Sequence, residues 1–164
     1  MKKIVILSAG PGLPEIVSKY GHSSQWIPNI LSNHNVEFVL RNIYEEDTYF
    51  LEDGDAWIVS GSKYSVYDDI NWIKKAISFL TLLIKENKPI LGICFGHQLI
   101  AKALGADVIK NPLGWELGSY RIELTKEGED VSLFNNIEKN DVFYESHQDV
   151  VSKLPEGSIC LAST

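Results

Sequence analysis

Short continuous apolar runs alternate with longer stretches of helical periodicity between the N-terminus and Gly105. Continuous apolar runs predict buried strands over 4–7, 36–40, 56–59 and 89–93. Apolar residues three and four positions apart predict helices over 24–31, 70–85 and 95–104. For the helix over 70–85 we expect Asp68 or Asp69 to cap the start, and the buried face to consist of Ile70, Ile73, Ile77, Leu80 and Ile84.

After Asp107 the pattern changes to strands with little helix between them, over 120–124, 142–144 and 159–162. Strands that alternate with helices are typical of an α/β fold with a mainly parallel central sheet flanked by helices. The later strands predict an antiparallel extension of that sheet. A length of 164 residues fits a single domain over 1–164.

Composition and charge narrow the class of protein. The chain is 45% hydrophobic and 23% charged, which is ordinary for a globular protein in water. Its net charge of −7 disfavours nucleic acid as a partner, although the same charge also serves solubility. No apolar stretch reaches the roughly 18 residues of a membrane span, and residues 1–8 lack the features of a signal peptide. Only two cysteines are present, so we expect no disulfide framework and a cytoplasmic location.

The loop Gly10-Pro11-Gly12 follows the first strand and is similar to part of a dinucleotide-binding fingerprint. Its third glycine is replaced by Glu15, and Pro11 and Pro14 obstruct a helix start. We therefore expect the loop to shape a pocket rim rather than to bind a nucleotide. No metal site is expected, because metal-ligand spacing is absent among the histidines, which are His22, His34, His97 and His147.

The segment most indicative of chemistry is Gly92-Ile93-Cys94-Phe95-Gly96, between a predicted strand and a predicted helix. A residue at such a corner is forced toward a strained backbone conformation, and the flanking glycines remove side chains that would collide there. The spacing matches the nucleophile elbow of serine hydrolases, with sulfur in place of oxygen. A thiol at a helix N-terminus is also favoured as the thiolate.

Two alternatives stay open at the elbow. Cys94 could be a small buried packing residue whose glycine neighbours only permit close contacts. His97 lies three residues after Cys94 on the same helical face. It could form an ion pair with the thiolate, or it could pack beneath the elbow as an ordinary helix residue.

Four segments together resemble the class I glutamine amidotransferases. The nucleophile segment reads Gly-Ile-Cys-Phe-Gly-His-Gln from Gly92, and Val-Ser-Gly-Ser from Val59 is similar to the oxyanion strand and loop. Trp-Glu-Leu-Gly from Trp115 resembles the substrate-side segment, and the stretch from Glu145 to Val151 resembles the Ser-His-x-Asp-x-Val signature. The likeness is to stand-alone members related to the glutaminase domain of GMP synthetase, a group that includes plant γ-glutamyl peptidases. It implies a flavodoxin-like fold.

The resemblance also implies roles for individual residues. Cys94 matches the nucleophile, and the backbone N–H groups of Ser62 and Phe95 match the oxyanion hole, although many members have glycine at the position of Ser62. The remaining candidates lie on the substrate side, and they are Gly61, Gln98, Glu116 and His147. Tyr64, Tyr67 and Trp115 could wall the substrate pocket, or they could be core or surface residues.

The family's base and its carboxylate, a His-x-Glu pair, are expected beyond Thr164. The chain as written is then expected to be inactive alone, either as a truncated sequence, which we favour, or as a degenerate one. His147 as a replacement base is the disfavoured alternative, because the resemblance places it outside the triad. Asp149 is expected to fix its loop by hydrogen bonds.

These observations lead to a set of expected functions. The first is hydrolysis of the glutamine side-chain amide through a cysteinyl thioester, with no cofactor and with a possible partner in the form of a separate synthetase. The alternatives are a γ-glutamyl peptidase and a non-catalytic binding or regulatory module. A related cysteine-elbow hydrolase or chaperone is disfavoured, because those proteins often place histidine directly after the cysteine, where this chain has Phe95.

Overall fold

Four parallel strands form the central sheet in the computed structural model, which describes residues 1–31, 34–138 and 141–164. The strands are β1 (Lys2–Ser8), β2 (Val36–Asn42), β3 (Ala56–Val59) and β4 (Ile90–Gly92), in the order β2-β1-β3-β4. In register, Ile6 lies between Leu40 and Ile58, and Ile58 also pairs with Leu91. The continuous apolar runs therefore identified all four strands, and the central strands β1 and β3 hold the most deeply buried side chains.

Four helices accompany this sheet, namely α1 (Pro14–Tyr20), α2 (Ser23–Ile30), α3 (Asn71–Lys85) and α4 (Phe95–Ala103), with short 3-10 turns at Ile43–Glu45 and Leu51–Asp53. The predicted helices α2, α3 and α4 are confirmed. The expectation that Pro14 obstructs a helix start was wrong, because α1 begins at Pro14. Proline is favoured in a first helical turn, where its missing N–H needs no partner. None of the helices among the described residues is both long and apolar enough to cross a membrane.

The start of α3 differs from the prediction. Its N-cap residue is Ile70, which makes no side-chain cap, while Asp68 instead accepts a hydrogen bond from the Ser65 N–H (2.9 Å). The buried face is also rotated relative to the predicted one, because α3 packs against α4. Ile77 and Ile84 are only partly buried, and the buried residues are Trp72, Ile73, Ala76, Leu80 and Leu83.

Residues 106–164 carry antiparallel strand pairs. Strand β5 (Val108–Lys110) pairs with β9 (Asp149–Val151), β6 (Glu116–Arg121) with β8 (Val142–His147), and β7 (Glu123–Leu124) with β10 (Ala162–Ser163). A short helix α5 (Lys126–Glu129) and a 3-10 turn (Ser132–Phe134) lie between β7 and β8. The predicted antiparallel strands are thus present, as three two-stranded sheets among the described residues.

The predicted class, α/β with a mainly parallel central sheet, is confirmed. The chain falls into two compact units, Met1–Gly105 with the parallel sheet and Ala106–Thr164 with the antiparallel pairs. That residues 1–164 form one domain stays a prediction.

Candidate active site

Cys94 occupies a tight turn between β4 and α4. The Ile93 N–H donates to the Val59 carbonyl (2.9 Å), which continues the pairing of β3 and β4, and the Gly96 N–H donates to the Ile93 carbonyl (2.9 Å), which closes the turn. Cys94 has φ 53° and ψ −109°, the angles of the first central residue of a type II′ turn. For a residue with a side chain, this conformation costs on the order of 1–3 kcal/mol. The predicted strained corner is confirmed.

The two flanking glycines let the first turn of α4 lie directly on the sheet. A Cβ atom built on Gly96 would lie 2.3 Å from the Val59 carbonyl oxygen, far inside van der Waals contact. One built on Gly92 would lie 2.6 Å from the carbonyl carbon and oxygen of Gly96. Both glycines are therefore required by backbone-to-backbone contact, and this contact fixes the position of the corner that carries Cys94.

Cys94 is exposed, and neither it nor Cys160 takes part in a disulfide within the described part of the chain. The interpretation of Cys94 as a buried packing residue was therefore wrong. As the N-cap residue of the nine-residue helix α4, it lies at the positive end of the helix dipole, which favours a thiolate. His97 is exposed as well, so packing beneath the elbow is excluded, and its ion pair with Cys94 stays a prediction.

The loop after β3 lies against the elbow. A Cβ atom built on Gly61 would be 3.6 Å from the Cβ of Cys94, so the Gly61 backbone is in close contact with the cysteine. The Ser62 hydroxyl donates to the Ala9 carbonyl (2.6 Å) and accepts from the Tyr64 N–H (3.3 Å). The Ser60 hydroxyl accepts from the Ala9 N–H (2.9 Å). Side-chain hydroxyls thus hold this loop to the end of β1.

Phe95 and Gln98 lie on the buried side of α4. Phe95 is 1% exposed, and as the first helical residue its N–H has no acceptor within the helix. The Gln98 side chain is buried, and its N–H makes the first helical hydrogen bond, to the Cys94 carbonyl (3.2 Å). The N–H of Phe95 is therefore the first donor available beside the sulfur, as the oxyanion prediction requires.

An aromatic group connects the Gly61 loop with the start of α4. The Tyr64 ring meets Trp72 edge-on at 5.6 Å between centroids, and Trp72 lies 5.9 Å from Phe95. Tyr64 thus packs within the first unit. Tyr67 and Trp115 are exposed, which excludes core packing for both, and their role as pocket walls stays a prediction.

In the second unit, strands β6 and β8 bring Glu116 and His147 together as directly paired residues. The His147 Nε2 lies 3.5 Å from Glu116 Oε2 and 3.3 Å from Glu145 Oε2. Asn111 and Thr164 both donate to the Glu116 carboxylate, at 3.4 Å and 2.9 Å. Sequence reasoning missed Glu145, although the alternation of a strand places it on the same face as His147.

The structure therefore assembles the candidate residues in two groups. Gly61, Ser62, Cys94, Phe95 and Gln98 belong to the first unit, and Glu116 and His147 belong to the second. The substrate-side roles and the loop-fixing role of Asp149 stay predictions. Among the described residues, no group of three His, Cys, Asp or Glu side chains could hold a metal ion.

Comparison with sequence families gives a match to the model described as "Glutamine amidotransferase class-I" over residues 15–164. A glutamine amidotransferase-like protein of Schizosaccharomyces pombe is 35% identical, over 98% of this chain and 69% of that protein. Gamma-glutamyl peptidase 4 of Arabidopsis thaliana is 38% identical over 68% of this chain and 45% of its own length. One component of the glutamine-hydrolyzing GMP synthase of Sulfurisphaera tokodaii is 32% identical over 73% and 60%. The chain thus spans less than two thirds of several of these relatives.

Solved structures show the same fold. A glutamine amidotransferase from Thermotoga maritima superimposes with a TM-score of 0.79 at 21% identity, over 99% of this chain and 67% of that chain. A glutamine amidotransferase from Methylobacillus flagellatus gives 0.72 at 22% identity, over 98% and 60%.

Proposed function

Because the chain belongs to the class-I glutamine amidotransferase family, we propose that the complete protein hydrolyses the side-chain amide of glutamine through a thioester on Cys94. One observation carries this proposal. Cys94 is an exposed thiol at a strained strand-to-helix corner, at the N-terminus of α4. A packing residue needs neither the exposure nor the strain, whereas a nucleophile uses both.

The chemistry begins with attack of the Cys94 thiolate on the carboxamide carbon of glutamine, which forms a C–S bond. The carbonyl oxygen becomes negatively charged in the tetrahedral intermediate. Collapse of the intermediate breaks the C–N bond, and the nitrogen leaves as ammonia after it takes up a proton. Water then attacks the γ-glutamyl thioester, which releases glutamate and restores the thiol.

The Ser62 and Phe95 N–H groups are the proposed oxyanion donors. Phe95 begins α4, and Ser62 follows the glycine in contact with Cys94, so the two donors come from opposite sides of the elbow. Loss of one such donor typically lowers kcat by about 10²–10³. Gly61, Gln98, Glu116 and His147 are proposed to contact or support the substrate.

A general base is needed to accept the thiol proton and to activate water. The resemblance places it, with its orienting carboxylate, beyond residue 164, so the product of the complete gene is the protein to assay. His147 is the alternative, and it differs in a measurable way. A base substitution lowers kcat by about 10²–10⁴, whereas loss of a substrate contact raises KM.

The direct test compares Cys94→Ala with Cys160→Ala in an assay of ammonia released from glutamine. Cys160 is also an exposed thiol, so it serves as a matched control. Loss of at least about 10³-fold in kcat is expected for Cys94→Ala, with normal activity for Cys160→Ala. Retained hydrolysis in Cys94→Ala would contradict the proposal.

Hydrolysis of γ-glutamyl peptides is a second candidate, favoured by the relatives. Three Arabidopsis thaliana proteins named gamma-glutamyl peptidases are 32–38% identical to this chain over 68–70% of its length. The same Cys94 chemistry would apply, with an amino acid or peptide amine as the leaving group in place of ammonia. The ratio of kcat/KM for a γ-glutamyl dipeptide to that for glutamine decides between the two, and Cys94→Ala abolishes both.

A synthetase partner is part of the proposal only for the glutamine reaction. The relatives include two proteins named as glutamine-hydrolyzing GMP synthases, in whole or in part. If a separate synthetase uses the ammonia, its addition is expected to increase glutamine hydrolysis, and a γ-glutamyl peptidase would not respond. A non-catalytic module would bind glutamine without turnover in either assay.

A further inference from the structure

The loop that follows β1 is held from both sides. On one side, Ala9 exchanges hydrogen bonds with the Ser60 and Ser62 hydroxyls, at 2.9 Å and 2.6 Å. On the other side, the carbonyl of Gly10 lies 2.8 Å from Nε2 of His22. A Cβ atom built on Gly10 would lie 3.0 Å from the Ser62 hydroxyl oxygen, so Gly10 is packed directly against the residue proposed as an oxyanion donor.

The contacts of His22 define its tautomer. Its Nδ1 accepts from the Ser24 backbone N–H (3.3 Å) as the N-cap of α2, and it also lies 2.7 Å from the Ser24 hydroxyl. An imidazole nitrogen that accepts from a backbone amide carries no proton. The other nitrogen, Nε2, therefore carries it and donates to the Gly10 carbonyl, which can only accept. The Tyr44 ring is stacked on His22, with centroids 6.4 Å apart and planes 7° apart, and it restricts the imidazole orientation.

We propose that His22 is a positioning residue for the oxyanion hole. Its Nε2–H fixes the Gly10 carbonyl, the Gly10 backbone fixes the Ser62 side chain from below, and Ser62 presents its N–H beside Cys94. His22 is far from Cys94 in sequence and acts only through Gly10 and Ser62. The inference rests on the proposed function for its catalytic consequence, while the ordering of the loop is independent of turnover.

Two substitutions separate this role from the capping of α2. The side-chain oxygen of asparagine lies the same number of bonds from Cα as His Nδ1, so His22→Asn keeps the cap and loses the bond to Gly10. The amide nitrogen of glutamine corresponds to His Nε2, so His22→Gln keeps a donor toward Gly10 and weakens the cap. His34→Asn is the matched control, because His34 is an exposed histidine of the same unit.

The kinetic readout is kcat and KM for glutamine with the complete protein. Full loss of an oxyanion donor costs about 10²–10³ in kcat, and a displaced donor is expected to cost roughly 10-fold. His22→Asn should show that loss with KM unchanged, and His22→Gln should recover most of the wild-type kcat. A role limited to the helix cap predicts the opposite order, with His22→Asn active and His22→Gln impaired, and this order would overturn the proposal.

Hydrogen exchange supplies the readout that needs no turnover. The amides of Ala9 and Tyr64 donate to the Ser60 and Ser62 hydroxyls, so they report the order of the loop. Their exchange should be faster by about 10-fold in His22→Asn than in His22→Gln, with the β1 core amides unchanged. Equal exchange in both variants, or equal loosening of the β1 core, would overturn the proposal. If wild-type protein hydrolyses nothing, the proposed function fails, and the exchange rates still decide the role of His22.

Discussion

The contact between α4 and β3 predicts a specific cost for a methyl group at Gly96. In Gly96→Ala the new Cβ would lie 2.3 Å from the Val59 carbonyl oxygen and 2.8 Å from its carbon. Ordinary contact begins at 3.4 Å, so the first turn of α4 has to move by about 1 Å. Overpacking of this kind costs about 3 kcal/mol when backbone must shift, and the higher helix propensity of alanine offsets up to about 1 kcal/mol.

A net loss of about 2 kcal/mol corresponds to a decrease in Tm of roughly 4–8 °C for a chain of this size. The same displacement carries Cys94 away from the Gly61 loop, and a misplacement of about 1 Å can lower kcat by about 10². Thermal denaturation and glutamine hydrolysis, measured on the same preparation of the complete protein, give both quantities.

Gly105→Ala is the control for Gly96→Ala, because it is expected to lose stability without touching the elbow. Gly105 has φ +85°, and nothing lies within 4 Å of a Cβ atom built on it. An L residue in this conformation costs about 1–2 kcal/mol. The two variants should thus be destabilised to a similar extent, while only Gly96→Ala loses activity. A Gly96→Ala protein as active as Gly105→Ala would refute the reasoning about the elbow.

Three further predictions concern single contacts. Ser62→Ala removes the hydroxyl bond to Ala9, and a decrease in kcat of about 2- to 10-fold is expected from steady-state kinetics; an unchanged kcat would speak against a fixed loop. His147→Gln should raise KM and leave kcat within a few-fold, whereas a loss in kcat of about 10²–10⁴ would identify His147 as the base. The Lys3 backbone N–H that donates to Asp55 lowers the pKa of the Asp55 carboxyl, so its stabilisation is present above pH about 3.9 and lost as the pH falls through the lower folded value. Urea denaturation should show Asp55→Asn to be less stable at neutral pH and equal to wild type in acid; a difference independent of pH would contradict this.

Local sequence patterns predicted most of the first unit because each signal lies within a few residues. The apolar runs of β1 to β4 are continuous, and the glycines around Cys94 have a steric reason that can be argued from the corner alone. The capping of α3 could not be obtained in this way. Asp68 has two nearby uses for its carboxylate, and the turn with Ser65 prevails over the helix cap.

The parts of the site that the sequence did not reveal depend on hydrogen bonds between distant segments. The bonds of Ser62 to Ala9 and of His22 to Gly10 join separate loops at the end of the sheet. No local periodicity indicates which hydroxyl or imidazole meets which carbonyl, because the partners are set by strand order. Glu145 is a milder case, since strand alternation alone would have placed it beside His147.

The central claim is that the Cys94 sulfur carries the γ-glutamyl group during turnover. Rapid acid quenching of the complete protein with glutamine or a γ-glutamyl dipeptide, followed by peptide mass spectrometry, tests it most directly. A γ-glutamyl adduct on the peptide that contains Cys94, removed by hydroxylamine and absent from the peptide that contains Cys160, is the expected result. Turnover with no adduct on Cys94, or with the adduct on another residue, would contradict the account.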